Sequence, residues 1–303
     1  MKNYLSTAIK EQRLPTEFAS TIEDWYQPVA RSIAEKSLSA HHGETMILGI
    51  QGSQGSGKST FAYFLKLLLE NEHSLRVEAL SLDDFYLTYN ERCELSESIH
   101  PLLKTRGVPG THDVELAQKT IKKLSKLSSG EITKIPRFNK AMDDRAEEND
   151  WDTVTGPIDI IIFEGWCVGV PPQEEEELTS AINELEELED STGEWRRYVN
   201  QKLEEEYIEL FDGMDALLVL QAPSFEVVYS WRSLQEEKLA DKMKNNPELA
   251  ARIQSPEQLK RFISHYERLT RHCISKLPEK ADWLLFLDAD HRIIGGNTAP
   301  GKF

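Results

Sequence analysis

The segment Gly52-Ser53-Gln54-Gly55-Ser56-Gly57-Lys58-Ser59 fits the pattern G-x-x-x-x-G-K-[ST], and each fixed residue in it has a physical job. The glycines let the backbone turn tightly and aim its N–H groups at a β-phosphate. The helix expected to follow adds the positive end of its dipole. Lys58 reaches the β- and γ-phosphates, and the Ser59 hydroxyl ligates Mg²⁺. Gly52 to Thr60 is therefore the expected contact surface for a nucleoside triphosphate. A chance match in a chain this long is on the order of one per cent, and the motif also follows a predicted strand and opens a predicted helix.

Phosphoryl transfer needs a carboxylate near the metal and often a second to receive the acceptor's proton. In a parallel α/β sheet both belong at the carboxyl ends of strands, beside the loop. Glu164 directly follows the apolar run Ile160-Ile161-Ile162-Phe163, and Asp83 and Asp84 follow Val77–Leu82. Arg106, Arg137, Lys140 and Arg145 concentrate positive charge in an otherwise acidic chain. An anionic acceptor needs such charge, because arginine pairs with a carboxylate in bidentate fashion. Arg137 and Lys140 follow Pro136 in a predicted loop. His112, between Thr111 and Asp113 just before a helix, is placed to cap, to touch substrate or to be buried.

The elements that must position these residues alternate regularly. Residues 1–45 read as helix, with Trp25, Val29, Ile33 and Ala34 at helical spacing. Short apolar runs at Met46–Ile50, Val77–Leu82, Ile158–Phe163, Ala216–Gln221 and Trp283–Leu287 read as buried strands. Helices are expected at Lys58–Glu70, Val114–Leu127, near 224–244 and at 256–276, and a loop at 83–112. Continuous apolar strands between helices imply an α/β fold, with a parallel sheet of about five strands covered on both faces. The expected organisation is an N-terminal helical extension (1–45) and one nucleotide-binding domain (46–303). Residues 173–209, rich in glutamate, read as a solvated amphipathic helical insertion.

Composition narrows the function. The chain of 303 residues carries 52 acids against 35 bases, a net charge of −17. Such a chain repels phosphate backbones and anionic membranes, which argues against nucleic acid or a membrane as partner. Cys93, Cys167 and Cys273 are far apart and odd in number. They suit a reducing compartment better than a disulfide framework or a zinc site. The N-terminal segment lacks the apolar core of a signal peptide, and no stretch approaches the ~20 apolar residues of a membrane span. The cytoplasm is the expected location. Oligomeric state is not indicated.

Several segments together resemble the D-glycerate 3-kinase family, which groups with phosphoribulokinase, uridine kinase and bacterial pantothenate kinase. They are the loop, Ser-Leu-Asp83-Asp84-Phe85-Tyr86, Arg106-Gly-Val-Pro-Gly-Thr-His112-Asp113, Pro136-Arg137-Phe138-Asn139-Lys140 and Phe163-Glu164-Gly165-Trp166. The resemblance covers roughly residues 46–290. It implies a P-loop NTPase three-layer fold, ATP as phosphoryl donor and a small acceptor. Asp83 matches the aspartate that activates the acceptor hydroxyl, and Glu164 the acidic residue that holds Mg²⁺. His112 and Asp113 match a stretch lining the acceptor pocket, with Asp84, Tyr86, Arg106, Arg137 and Lys140 also on the substrate side. Arg232, in Tyr229-Ser230-Trp231-Arg232-Ser233-Leu234-Gln235-Glu236, resembles the lid arginine that closes over the transferred phosphate. Phe138-Asn139-Lys140 departs from the family's Tyr-Asp-Lys, and the stretch after it is short. Both lie in the substrate region.

The expected activity is phosphorylation of D-glycerate to 3-phosphoglycerate. The same chemistry on a nucleoside, a pantothenate-like alcohol or another sugar acid is the nearest alternative. A nucleotide-dependent switch is the other, but a guanine site needs N-K-x-D. Asn139-Lys140-Ala141 is followed by Met142, one position before an aspartate.

Overall fold

The computed structural model describes residues 2–40, 43–243 and 255–298; the ends of the expected extension and domain (residues 1, 41–42 and 299–303) and position 244 of the expected helix lie outside the described residues. Strands are β1 (Met46–Gly52), β2 (Val77–Ser81), β3 (Ile132–Ile135), β4 (Phe138–Asn139), β5 (Asp144–Arg145), β6 (Asp152–Thr155), β7 (Ile160–Gly165), β8 (Ala216–Gln221), β9 (Trp283–Leu287) and β10 (Ile293–Gly296). Helices on the N-terminal side are α1 (Asn3–Glu11), α2 (Phe18–Thr21), α3 (Gln27–Ala40), α4 (Lys58–His73), α5 (Tyr89–Ser98) and α6 (Val114–Leu124). The later ones are α7 (Glu184–Glu189), α8 (Glu194–Lys202), α9 (Ile208–Asp212), α10 (Phe225–Met243) and α11 (Pro256–Lys276).

The central sheet runs β2-β7-β1-β8-β9-β10. Five strands are parallel, and β10 pairs antiparallel with β9 at the edge. That sixth strand is an addition to the expected five. Its residues, Ile-Ile-Gly-Gly, alternate between half-buried and exposed, so no continuous apolar run marks it in the sequence. Every residue of β7 is buried, as a parallel strand covered on both faces requires. The expected helices on both faces are present, and with the sheet they form three layers.

Each face has its own core. On one, Leu48, Ile50, Ile160, Ile162 and Leu218 meet Phe61, Phe64, Leu65 and Leu68 of α4. Val29 and Ile33 of α3 and Leu5 and Ile9 of α1 join the same cluster, so the N-terminal helices are packed into the sheet rather than appended to it. On the other, Ile161, Phe163, Leu217 and Val219 meet α6, α8 and α11 through Ala117, Val199 and Leu269.

Two stretches differ from the sequence reading. The expected loop at 83–112 contains α5, started by a capping box in which Thr88 and Glu91 satisfy each other's backbone N–H groups. The helix carries few apolar residues (YNERCELSES), so it lacks the periodicity that reveals a helix. Its Arg92 is almost fully buried and donates to the carbonyls of Leu87, Lys104 and Asp143, pinning the loop from inside. Residues 173–209 form α7, α8 and a turn that leads to α9, and they are not merely a solvated surface. Glu186 and Asp190 are buried, Glu186 against Arg268 at 2.6 Å and Asp190 against Arg196 at 2.9 Å. Among the described residues, no helix is long and apolar enough to cross a membrane.

Candidate active site

The phosphate loop leaves β1, the central strand, and enters α4. Parallel register puts Ile50 beside Glu164 and Ser81 beside Glu164, so the loop, the end of β2 and the end of β7 converge. Gly55 has φ +79°, and a Cβ there would lie 2.9 Å from the Cβ of Trp231. Only glycine fits that backbone under that neighbour. A Cβ at Gly52 would lie 2.5 Å from Ser56 Oγ. Ser53 and Ser56 are buried inside the loop.

Glu164 is buried at the end of β7. Its Oε1 accepts a hydrogen bond from Ser59 Oγ at 2.8 Å. Its Oε2 lies 4.0 Å from Lys58 Nζ and has no hydrogen-bond partner. A buried carboxylate oxygen without a donor, next to a hydroxyl and at the mouth of a phosphate loop, is the hard-oxygen donor set that suits a divalent cation.

Asp83 sits on the short turn Leu82–Phe85 after β2, where Ser81 Oγ accepts from the Asp83 N–H. Tyr86 donates to Asp83 Oδ1 at 2.8 Å, and Lys140 donates to Oδ2 at 2.6 Å. Burial works against the charge, but the ammonium groups of Lys140 and Lys58, with these hydrogen bonds, outweigh it and hold the Asp83 carboxyl down at about 2. It is ionised at neutral pH. Asp84 is engaged elsewhere: Arg137 donates to it at 2.8 Å and the Phe138 N–H at 3.2 Å. Burial raises the Asp84 carboxyl despite Arg137.

Gln54, Gly55, Lys58, Asp83, Tyr86, Arg106, Lys140 and Arg232 line one cavity of about 270 Å³. Trp166, Phe262 and Tyr266 complete its wall. Four predicted substrate-side residues do not line it. Asp84 and Arg137 pair with each other, and Arg137 also pairs with Asp152 at 2.7 Å. Asp113 caps α6, accepting from the Leu116 N–H at 2.9 Å, and pairs with Arg145 at 3.0 Å. His112 lies behind Tyr86: a backbone bridge joins the two residues, and their rings stack at 4.6 Å. Its Nδ1 is 2.7 Å from the hydroxyl of Tyr207. Burial lowers the His112 imidazole to about 3 despite the nearby Asp83, so the ring is neutral.

Lys140 reaches Asp83 from the turn of the β4–β5 hairpin, whose register pairs Phe138 with Arg145 and Asn139 with Asp144. Arg106 pairs with Asp143 of the same turn and lies 5.5 Å over the Phe138 ring. Of the departing segment Phe138-Asn139-Lys140, Lys140 lines the cavity, and Phe138 lies under Arg106 beside it. Arg232 covers the Phe262 ring at 5.8 Å.

The sequence is similar to several curated proteins over most of its length. It is 34% identical to the uncharacterized kinase mug58 of Schizosaccharomyces pombe, over 74% of this chain and 79% of that protein. It is 32% identical to the chloroplastic D-glycerate 3-kinase of Arabidopsis thaliana, over 73% of this chain and 46% of that protein. The fold matches a solved D-glycerate 3-kinase from Cryptococcus neoformans with a TM-score of 0.74 and 26% identity, over 90% of this chain and 98% of that one. The chain belongs to the D-glycerate 3-kinase family. It is an ATP-dependent small-molecule kinase with a P-loop fold. No family model matches the sequence.

The sequence-predicted Gln54, Gly55, Lys58, Asp83, Tyr86, Arg106, Lys140 and Arg232 all line the cavity, and Trp166, Phe262 and Tyr266 are the wall residues that sequence reasoning missed. Phe262 and Tyr266 come from α11, where they look like ordinary core positions of an amphipathic helix. Tyr266 donates to the carbonyl of Arg106, a residue 160 positions away. Trp166 is buried and also lines the cavity, donating to the carbonyl of Gly107 at 2.9 Å. Tyr207 sits in the acidic insertion and carries no motif.

Proposed function

We propose that this kinase transfers the γ-phosphoryl group of ATP to the terminal hydroxyl of D-glycerate, giving 3-phosphoglycerate. The observation that carries the reading is the shared cavity: an ionised carboxylate, Asp83, and the phosphate-loop lysine, Lys58, face the same space as Arg106 and Arg232. Asp83 accepts the hydrogen bond of the acceptor hydroxyl and takes its proton. Because the transition state is loose, positioning matters more than basicity, and a base held at about 2 is serviceable. Lys58 and Arg232 stabilise charge on the transferring group. Gly52 to Thr60 cradle the triphosphate. Ser59 and Glu164 would hold Mg²⁺, which supplies charge neutralisation at the phosphates when bound.

Arg106 is the residue we assign to the acceptor's carboxylate. Its guanidinium already holds a carboxylate, that of Asp143. The aromatic walls favour an acid over a nucleoside: Phe262 packs on Tyr266 and beneath Arg232, and Trp166 packs edge-on against Tyr266. Those faces are engaged by protein, which leaves polar groups for the acceptor. Asp84, Arg137, His112 and Asp113 support the rim and the turns from behind. The three cysteines form no disulfide, which fits a reducing compartment, and we assign the cytoplasm.

Competition between D-glycerate and glycerol, which lacks the carboxylate, tests the acceptor assignment. Charged hydrogen bonds contribute about 1.5–3 kcal/mol, so Arg106→Ala should raise KM for D-glycerate roughly 10- to 100-fold and leave KM for ATP nearly unchanged. An unchanged KM for D-glycerate would exclude Arg106 from carboxylate recognition.

A further inference from the structure

The acidic insertion reaches the catalytic carboxylate through three side chains. Between α8 and α9 the backbone makes a π-helical turn, Leu203–Tyr207. Such turns accommodate an extra residue and redirect a side chain, often at a functional site. Here the side chain at its end is Tyr207, which is completely buried. Its hydroxyl oxygen accepts from the Gly110 N–H at 3.1 Å. Because that oxygen already accepts from Gly110, we assign its own proton to His112 Nδ1, 2.7 Å away. With that assignment the contact at Nδ1 orients the His112 ring, while Nε2 is buried without a hydrogen-bond partner. That ring stacks on Tyr86 at 4.6 Å with an interplanar angle of 23°. Tyr86, also buried, donates to Asp83 Oδ1.

We propose that Tyr207 is a positioning residue for phosphoryl transfer: through His112 it holds Tyr86 in the orientation that aims Asp83 at the acceptor hydroxyl. The inference rests on the reading of Asp83 as the proton acceptor. The geometry explains why a hydroxyl is needed as well as a ring. A phenylalanine at 207 would fill the same space beside Phe211, whose ring lies 5.8 Å away, yet would free His112 to rotate against Tyr86. It also gives the insertion a purpose. Its α7 is fastened to α11 by Glu186 and Arg268, and Asp190 and Arg196 brace the start of α8. Tyr207 is therefore carried by an anchored segment.

The test is a double-substitution cycle on the full chain, with ATP–Mg²⁺ and D-glycerate. Tyr207→Phe should lower kcat roughly 10- to 100-fold, the scale of a misplaced reacting group, with KM for ATP within about twofold. Tyr86→Phe should lower kcat similarly, and adding Tyr207→Phe to it should cost nothing further, because the path from 207 to Asp83 is already cut. A merely structural role would give independent, multiplying losses. His112→Asn is the second route: it keeps an acceptor near Nδ1 but removes the stacked ring, and it should behave as Tyr207→Phe does. Normal kcat in folded Tyr207→Phe, or multiplying losses in the cycle, overturns the proposal. If Asp83→Asn keeps turnover, the Asp83 reading falls and this inference with it; if Asp83→Asn is inactive and the cycle multiplies, only the inference falls.

Discussion

Replacing Asp83 by asparagine separates proton acceptance from every other duty of the site. The two side chains have the same shape, and an amide oxygen still accepts from Tyr86, now 2.8 Å from Oδ1. What is lost is the charge that Lys140 and Lys58 stabilise. Removal of a positioned general base typically costs 10²–10⁴ in rate, which is about 3–5 kcal/mol in the barrier. ATP affinity should stay the same or improve. Asp83 interacts electrostatically with Lys58, so removing its negative charge leaves that lysine better disposed toward phosphate. Stability should change little: the Lys140 side chain is 61% exposed, and screened pairs contribute weakly. The assay is ADP release under saturating D-glycerate and ATP, with ATP binding followed by calorimetry and folding by thermal melting. A folded Asp83→Asn enzyme with kcat within about threefold of the parent refutes the role. Asp84, already held by Arg137 and the Phe138 N–H, would then need testing in its place.

Lys58→Ala should instead impair nucleotide handling itself, lowering kcat/KM for ATP by roughly two orders of magnitude or more; unchanged kinetics would contradict the phosphate-loop assignment. Stability should fall on mild acidification. Burial lowers His112 to about 3 and His265 to about 4, below the ordinary 6.5 that applies once the chain unfolds. The unfolded chain therefore binds more protons below about pH 6.5, and stability declines as pH falls from there toward those lowered values. At pH 5 each histidine should account for about 2 kcal/mol of loss relative to pH 7. Denaturant midpoints at the two pH values measure this, and equal midpoints would show that these rings are not kept neutral by the fold.

Much of the sheet was legible because its strands are uninterrupted apolar runs. Ala216–Gln221 and Trp283–Leu287 stand where the runs placed them, and β1 and β7 carry the loop and Glu164 at their ends. The region between Asp83 and Thr155 was harder. There α5 lacks an apolar stripe, and β4 and β5 are two residues each, too short for alternation to register. Arg137 and Lys140 sat together in one loop in sequence, yet the hairpin sends Lys140 to Asp83 and Arg137 to Asp84. The glutamate-rich insertion misled in the opposite sense. Composition says solvent, but Glu186 and Asp190 are buried because Arg268, far along the chain, and Arg196, six residues on, neutralise them. The aromatic wall from α11 had no sequence signature, since Tyr266 and Arg106 become neighbours only through the fold.

The most direct test of the account is to incubate the full chain with ATP–Mg²⁺ and D-glycerate, nucleosides or pantothenate separately, follow ADP release, and identify the phosphorylated product. The account predicts ADP release stimulated by D-glycerate above all others, with phosphate on the terminal hydroxyl. ATP hydrolysis that none of these acceptors accelerates, or preferential phosphorylation of a nucleoside, would contradict it.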